Sequence, residues 1–290
     1  VTAAGSGCMA ALAAERWLAE KNLSKIIKRV DLIIEVRDAR IPLSTGHSHL
    51  NQWIIDKKHL LVINRSDMVS RASIDAWTSL FKDKGIDPLW CDSKKGMGIK
   101  EIIKSATKLR LSIDKRRLSR GMKIRPIRAL ILGFPNVGKS ALINRIANRK
   151  IVESARKAGV TRNLRWVRFG NGIDLLDAPG VIPPDLEDQR AALNLAICDD
   201  IGEAAYDIEL VAKEFIKIIL RLHKKNIPNV SINRISKRYG IDLIEGFQDP
   251  DQWILDTANK HTAGDTRRMA NKLLEDFRNQ MLGNFSIEVP

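Results

Sequence analysis

Cysteine is scarce in this chain. Cys8, Cys91 and Cys198 are the only three in 290 residues. They are too few and too scattered for a disulfide framework or a zinc cluster, which fits a reducing compartment. Long apolar runs are also missing: none approaches the roughly 20 residues that a membrane-spanning helix needs. No intact secretory signal opens the chain, and a start at Val1 leads to the expectation of a mature or trimmed form. No internal repeat or low-complexity tract stands out. Acid is in deficit, with 34 Asp and Glu against 49 Lys and Arg, a net charge of +15. That surplus suits a polyanionic partner, nucleic acid first and an anionic membrane second. What is present in quantity is apolar. A hydrophobic content of 44% excludes a disordered chain, and the length fits two domains or one large domain with an appendage.

The most informative stretch is Ala129–Arg145. An apolar run, Ala129–Leu132, ends in Gly133-Phe134-Pro135-Asn136-Val137-Gly138-Lys139-Ser140, and a helical pattern with Leu142, Ile143 and Ile146 on one side follows. This is G-x-x-x-x-G-K-[ST] with a strand before it and a helix after it, the context that the motif requires. Glycines let the backbone N–H groups, here from Asn136 to Ala141, curl around phosphates with no Cβ in the way. The new helix aims the positive end of its dipole at the same anion. Lys139 is predicted to reach the β- and γ-phosphates, and the Ser140 hydroxyl to ligate Mg²⁺.

Before this motif the chain alternates strand and helix. Val30–Val36, His59–Ile63 and Pro88–Cys91 pattern as buried strands; residues 70–83 and Ile99–Leu111 pattern as helices. The first hundred residues therefore predict a parallel α/β arrangement. A helix is also expected within residues 1–29, carrying Leu12, Trp17, Leu18, Leu23, Ile26 and Ile27. The Asp38-Ala39-Arg40 exit from the first strand suggests a local salt bridge before any direct role. Lys108–Arg128 is a basic connector, the expected flexible segment, either solvated or in contact with phosphate. Beyond the phosphate loop, Leu164–Phe169 and Ile173–Leu176 predict a hairpin around Gly170-Asn171-Gly172. Past Ile182-Pro183-Pro184 strand signals fade. Helices are predicted over about 187–199, 207–224, 229–238, 251–261 and 265–281. The expected division is a nucleotide-binding domain over 1–182, with the basic connector at 108–128, and a basic helical domain over 183–290.

Three further loops, each after a strand or between elements, complete a nucleotide set. Asp177-Ala178-Pro179-Gly180 fits a switch in which Asp177 holds Mg²⁺ through water and the Gly180 N–H senses the γ-phosphate. Thr161 can close over Mg²⁺ when triphosphate is bound. Asn64-Arg65-Ser66-Asp67 has the shape of a guanine reader, usually Asn-Lys-x-Asp. Asp67 would accept from guanine N1–H and its 2-amino group, a donor pair that adenine lacks, so the site selects GTP over ATP. Asn64 braces base and loop, the aliphatic stem of Arg65 can lie along the base, and Ser93 can support guanine O6. The predicted catalytic groups are Lys139, Thr161 and Gly180. The base-reading loops precede the phosphate loop here, so the fold is expected to be a circularly permuted P-loop GTPase domain, α/β, followed by an all-helical domain. New termini can open in a surface loop of such a fold.

On Asp38-Ala39-Arg40-Ile41-Pro42, Asn64-Arg65-Ser66-Asp67, Gly133–Ser140, Gly159-Val160-Thr161-Arg162 and Asp177-Ala178-Pro179-Gly180, the chain resembles the ribosome biogenesis GTPase A family, also called YlqF or DAR GTPases. The likeness runs from about residue 15 onward, and Leu195–Ile201 opens a similar helical domain, so 183–290 is expected to bind RNA or the ribosome. The resemblance implies GTP hydrolysis coupled to late assembly of the large ribosomal subunit, contacts with its rRNA and none expected with DNA. It also implies activation by K⁺ at Asn136. Two departures stand out. The family's Trp-[Phe/Tyr]-Pro-Gly-His-Met-like segment has no counterpart before Trp17. Val181 follows Gly180 where Ras-like enzymes place a glutamine. Both lead to the expectation of slow intrinsic hydrolysis. A GTP-holding assembly scaffold with little turnover is the alternative. The expected compartment is a plastid stroma or mitochondrial matrix, with bacterial cytoplasm as the alternative.

Overall fold

The structure is a computed structural model that describes residues 23, 25–46, 50–54, 57–148, 165–169, 172–177, 188–202, 206–243 and 249–290. Of the helix expected within residues 1–29, Leu23, Ile26 and Ile27 are helical, while Leu12, Trp17 and Leu18, like the two loops carrying Thr161 and Gly180, lie outside the described residues. Two compact units divide the chain: Val1–Arg37, Gly46–Asn64 and Asp87–Asp185 form one, and Asp38–Thr45, Arg65–Ile86 and Leu186–Pro290 the other. The helices after residue 186 thus share a unit with two segments from the first third of the sequence.

The first unit is built on a six-stranded sheet. Its strands are β1 (Leu32–Asp38), β2 (Lys58–Asn64), β3 (Leu89–Trp90), β4 (Ile127–Leu132), β5 (Arg165–Phe169) and β6 (Ile173–Asp177), in the order β3-β2-β1-β4-β6-β5. β2 with β3, β1 with β4 and β4 with β6 run parallel. β5 and β6 form the expected antiparallel pair, with Arg165 opposite Asp177. Strands β1 and β4 are buried almost throughout, as covering both faces of a parallel sheet requires, and both read as apolar runs in the sequence. Parallel strands align their carboxyl ends, so the turns leaving β1, β2, β3 and β4 gather at one edge.

The helices are α1 (Leu50–Trp53), α2 (Arg71–Asp83), α3 (Ile99–Leu118), α4 (Lys139–Ile146), α5 (Gln189–Cys198), α6 (Ile208–Lys224), α7 (Ile232–Tyr239), α8 (Pro250–His261) and α9 (Thr266–Arg278). One sequence expectation needs correction. Helix α3 continues seven residues past Leu111, so the first half of the basic 108–128 connector is helical. Its residues are good helix formers, and Arg110 pairs with Asp114 one turn on, at 3.3 Å. Both halves are tethered: Arg117 of α3 and Arg125 beyond it each place a guanidinium nitrogen 3.0 Å from the Asp31 carboxylate, and the Arg128 N–H donates to it at 3.0 Å.

The second unit starts its helices with side-chain caps. Asp188, Asp207, Ser231, Asp249 and Asp265 each accept a first-turn N–H of α5 to α9, a contribution of about 1 kcal/mol per cap. Its core is aromatic. Phe277 lies 4.8 Å from Phe215 and 5.3 Å from Phe285 between ring centroids, and Tyr239 meets Trp253 edge-on at 5.3 Å. The Tyr239 hydroxyl donates to Asp276 at 2.7 Å, so its burial leaves no unpaired group.

Candidate nucleotide site

The phosphate loop leaves β4 at Gly133 and enters α4 at Lys139. Two glycines allow its path. A Cβ on Gly133 would run into the Val36 carbonyl, and Gly138, at φ 98°, would drive one into the Asn64 amide. Asn136 takes a left-handed conformation, φ 60°, which asparagine tolerates better than most residues. Gly138 offers α4 no side-chain cap. The first-turn N–H groups of the helix are therefore suited to an anionic ligand. The Lys139 ammonium folds back over the loop and donates to the carbonyls of Gly133, at 2.8 Å, and Phe134, at 2.5 Å. This arrangement fits a nucleotide phosphate: a backbone cradle that side chains would fill, with a cation at its rim.

Asn64, at the end of β2, ties the loops together. Its amide donates to the Val137 carbonyl at 2.8 Å. Its carbonyl accepts from the Ser93 N–H at 3.0 Å and the Ser93 hydroxyl at 2.8 Å. One buried side chain thus joins the phosphate loop to the loop after β3. Asp92 shapes that second loop by accepting from the N–H groups of Lys94 and Lys95, at 2.8 and 3.1 Å. Arg145 of α4 donates to the carbonyls of Ser93 and Lys94. The predicted residues Asn64, Ser93, Val137 and Gly138 are therefore brought together. Ser140 and Ala141 begin α4 beside them.

Asp177 ends β6 opposite Ile131, two residues before Gly133, on the neighbouring strand. Its backbone therefore stands next to the phosphate loop. Its side chain, like Thr161 and Gly180, lies outside the described residues. Among the described residues no group of three or more His, Cys, Asp or Glu is arranged to hold a metal ion.

The Arg65–Asp67 turn belongs to the second unit. Arg65 is left-handed, φ 61°, and Ser66–Met68 form a short 3₁₀ turn. The Asp67 carbonyl accepts from Gln280 Nε2 at 3.2 Å and Asn284 Nδ2 at 2.8 Å. These two residues carried no sequence signal, because they stand more than two hundred positions from the turn that they hold. The Asp38–Arg40 pair is the expected local salt bridge, with both side chains fully buried. Arg40 donates to the two Asp38 oxygens at 3.0 and 2.7 Å and to the Cys198 carbonyl at 2.9 Å. The Arg40 carbonyl in turn accepts from Ser286 and from the Ile287 N–H. Burial pushes Asp38 up, but the charges of Arg40 and Arg65 outweigh it and hold the carboxyl below its usual range. Asp200 goes the other way. Burial first, then the Asp38 charge, push its pKa up to about 7, and neither of its oxygens accepts a hydrogen bond.

A mostly parallel sheet with this phosphate loop, and with the loops expected to read the base earlier in the chain, defines a circularly permuted P-loop GTPase. Comparisons with known proteins agree. Residues 128–234 match the family model described as 50S ribosome-binding GTPase. Ribosome biogenesis GTPase A of Bacillus cereus is 31% identical over 284 residues, 94% of this chain and 90% of that protein. Short integuments 2, mitochondrial, of Arabidopsis thaliana is 28% identical over 207 residues, covering 67% of this chain and 52% of that one. The solved GDP-bound structure of Thermotoga maritima YlqF is similar in fold, with a TM-score of 0.57 at 20% identity, covering 93% of this chain and 99% of that one. The chain belongs to the ribosome biogenesis GTPase A family, and it is a GTPase.

Proposed function

We propose that this GTPase is a molecular switch that assists maturation of the large ribosomal subunit and meets rRNA through basic surfaces. The supporting names are those of its relatives, and the charge of +15 supplies the attraction. The observation that carries the reading is the Asn64 clasp. It fixes the phosphate-loop backbone to the Ser93 loop, so nucleotide sensing and base support share one brace.

Within the site, N–H groups from Asn136 to Ala141 hold the phosphates, and Lys139 leaves its carbonyls to meet the β- and γ-phosphates. Asp67 reads the guanine edge, with Asn64, Arg65 and Ser93 supporting the base. Ser140 and Thr161, with Asp177 through water, would hold Mg²⁺, which neutralises charge between the β- and γ-phosphates when bound. Asn136 would hold K⁺, whose positive charge replaces that of an arginine finger. The Gly180 N–H senses the γ-phosphate. Asp177–Gly180 leads directly into the helical segment after residue 186, so loss of that phosphate is transmitted to it. The mitochondrial name of one relative supports the mitochondrial matrix over a plastid stroma, and the bacterial relatives support bacterial cytoplasm as the second reading.

The test is GTP hydrolysis at saturating GTP in potassium and in sodium buffer, with and without purified large ribosomal subunits. Strong stimulation by subunits in potassium is expected. Subunit binding without stimulation in either buffer overturns the switch and leaves the GTP-holding scaffold.

A further inference from the structure

Helix α3 grows directly out of the Ser93 loop and carries an unusual outer face. Lys100, Lys104, Lys108, Leu111, Lys115 and Leu118 follow one another at spacings of three or four residues, so they form one continuous stripe about 27 Å long. All six are exposed, Leu111 and Leu118 by 59% and 57%. None of the four lysines has an ion-pair or hydrogen-bond partner among the described residues, unlike Arg110 and Arg117 on the same helix. The opposite face, with Ile99, Ile102 and Ala106, is committed to the core. The turn after the helix adds Arg120 and Lys123, again exposed and unpaired.

From this geometry we infer that the outer face of α3 and the turn after it bind the phosphate backbone of an A-form RNA helix. This deepens the ribosome reading and rests on it. A row of lysines along one helix face, without ion-pair partners among the described residues, is the complement of a long, regular polyanion. Backbone contact is also how duplex RNA is recognised, its deep major groove being closed to side chains. A lipid surface is the other polyanion to weigh. A helix lying in a membrane interface buries a broad apolar face. Here the apolar face of α3 is already inside the protein, and the outer surface offers Leu111 and Leu118 among lysines, with Met122 and Ile124 on the turn after it, scattered apolar groups rather than a broad face.

The experiment uses the full chain and the variant K100Q/K104Q/K108Q/K115Q. A charge-matched control, R221Q/K224Q/K225Q/K237Q, removes exposed cations from α6, α7 and the turn between them. Binding to a fluorescein-labelled 20-base-pair RNA duplex is followed by anisotropy across salt concentrations. Melting temperature and GDP affinity certify the fold of each variant. The inference expects the α3 variant to lose at least tenfold in duplex affinity at 0.1 M salt. Its plot of log K against log salt becomes shallower by about 3, at close to one unit per released phosphate contact, while the control changes less. An unchanged slope in a folded α3 variant overturns it. So does a variant that keeps duplex binding but loses binding to phosphatidylglycerol vesicles. Purified large subunits form the second arm. If wild-type protein and α3 variant bind subunits equally, the stripe is rejected and the ribosome reading stands. If wild type binds duplex through α3 but ignores subunits, the ribosome reading falls and the RNA surface remains.

Discussion

One oxygen of Asp38 lies 3.3 Å from Arg65 Nε and 2.7 Å from Arg40 Nη2. The aspartate of the Asp38-Ala39-Arg40 signature therefore holds two guanidiniums, one buried beside it and one in the Arg65–Asp67 turn. The motif is an internal clamp: its acid orients the side chain that follows Asn64, and its arginine anchors the chain's last residues through Ser286 and Ile287.

Breaking that clamp on one side leaves a charge buried without its partner. Asp38→Asn is expected to destabilise the protein by about 3–5 kcal/mol, because Arg40 then sits fully buried facing a neutral amide. The double substitution D38N/R40M removes both charges and is expected to recover much of the loss. Urea unfolding of wild type, D38N, R40M and the double variant checks this. A double variant as unstable as the sum of its singles would mean that the two residues act separately.

Asp200 gives the second unit a pH dependence of definite sign. Its folded pKa, about 7, stands above the ordinary aspartate value of 3.8. Below 3.8 it is protonated in both states. Between about 4 and 7 the unfolded chain releases the proton that the folded chain keeps, so Asp200 makes stability fall as pH rises through this window. Asp200→Asn is expected to gain stability relative to wild type from pH 4 to pH 7 and to level off above. Chemical unfolding midpoints of both proteins at pH 4.5, 5.5, 6.5 and 7.5 measure the difference, and one that stays flat or shrinks with pH would contradict the assignment.

Asn64 is the brace of the nucleotide site, and its two ends have different hydrogen-bond needs. Asn64→Asp keeps the acceptor toward Ser93 but turns the donor toward the Val137 carbonyl into an oxygen. Losing one buried hydrogen bond and facing two acceptors is expected to cost roughly 2–3 kcal/mol. In binding, that is about a 30-fold to 150-fold loss of GDP affinity if the loop moves with it. A fluorescent GDP titration reads this, and a variant binding GDP like wild type would show that the phosphate loop keeps its shape unaided.

The parts of the site that were legible in the sequence are those with local chemistry. Gly133–Ser140 declares itself because a tight backbone cradle needs glycine, lysine and a hydroxyl at fixed spacing. Asn64 and Ser93 were legible as loop residues after strands, but the bonds by which Asn64 joins Ser93 to Val137 depend on strand order, which spacing alone does not give. The end of α3 was misplaced because Lys115, Arg116 and Arg117 favour helix and solvated connector equally well. The tether of Arg117, Asp31, is far away in the chain. Gln280 and Asn284 were invisible for the same reason, since amides at the end of a helix have no pattern that points to a turn at residue 67.

Those two amides bear on base selection. Asp67 is expected to choose guanine by accepting two donors, and its turn is held from outside by Gln280 and Asn284 on its carbonyl. Asp67→Asn replaces one acceptor by a donor, so it is expected to lower GTP affinity at least tenfold and to favour xanthosine triphosphate, whose 2-oxo group accepts where guanine donates. Asn284→Ala removes only a support and is expected to weaken GTP binding about fivefold without changing the preferred base, one neutral hydrogen bond being worth about 1 kcal/mol. Competition of GTP, xanthosine triphosphate and ATP against labelled GDP separates the two effects. A D67N protein that still prefers GTP would remove Asp67 as the base reader. An N284A protein with altered base preference would mean that the turn is selected by its support as much as by its carboxylate.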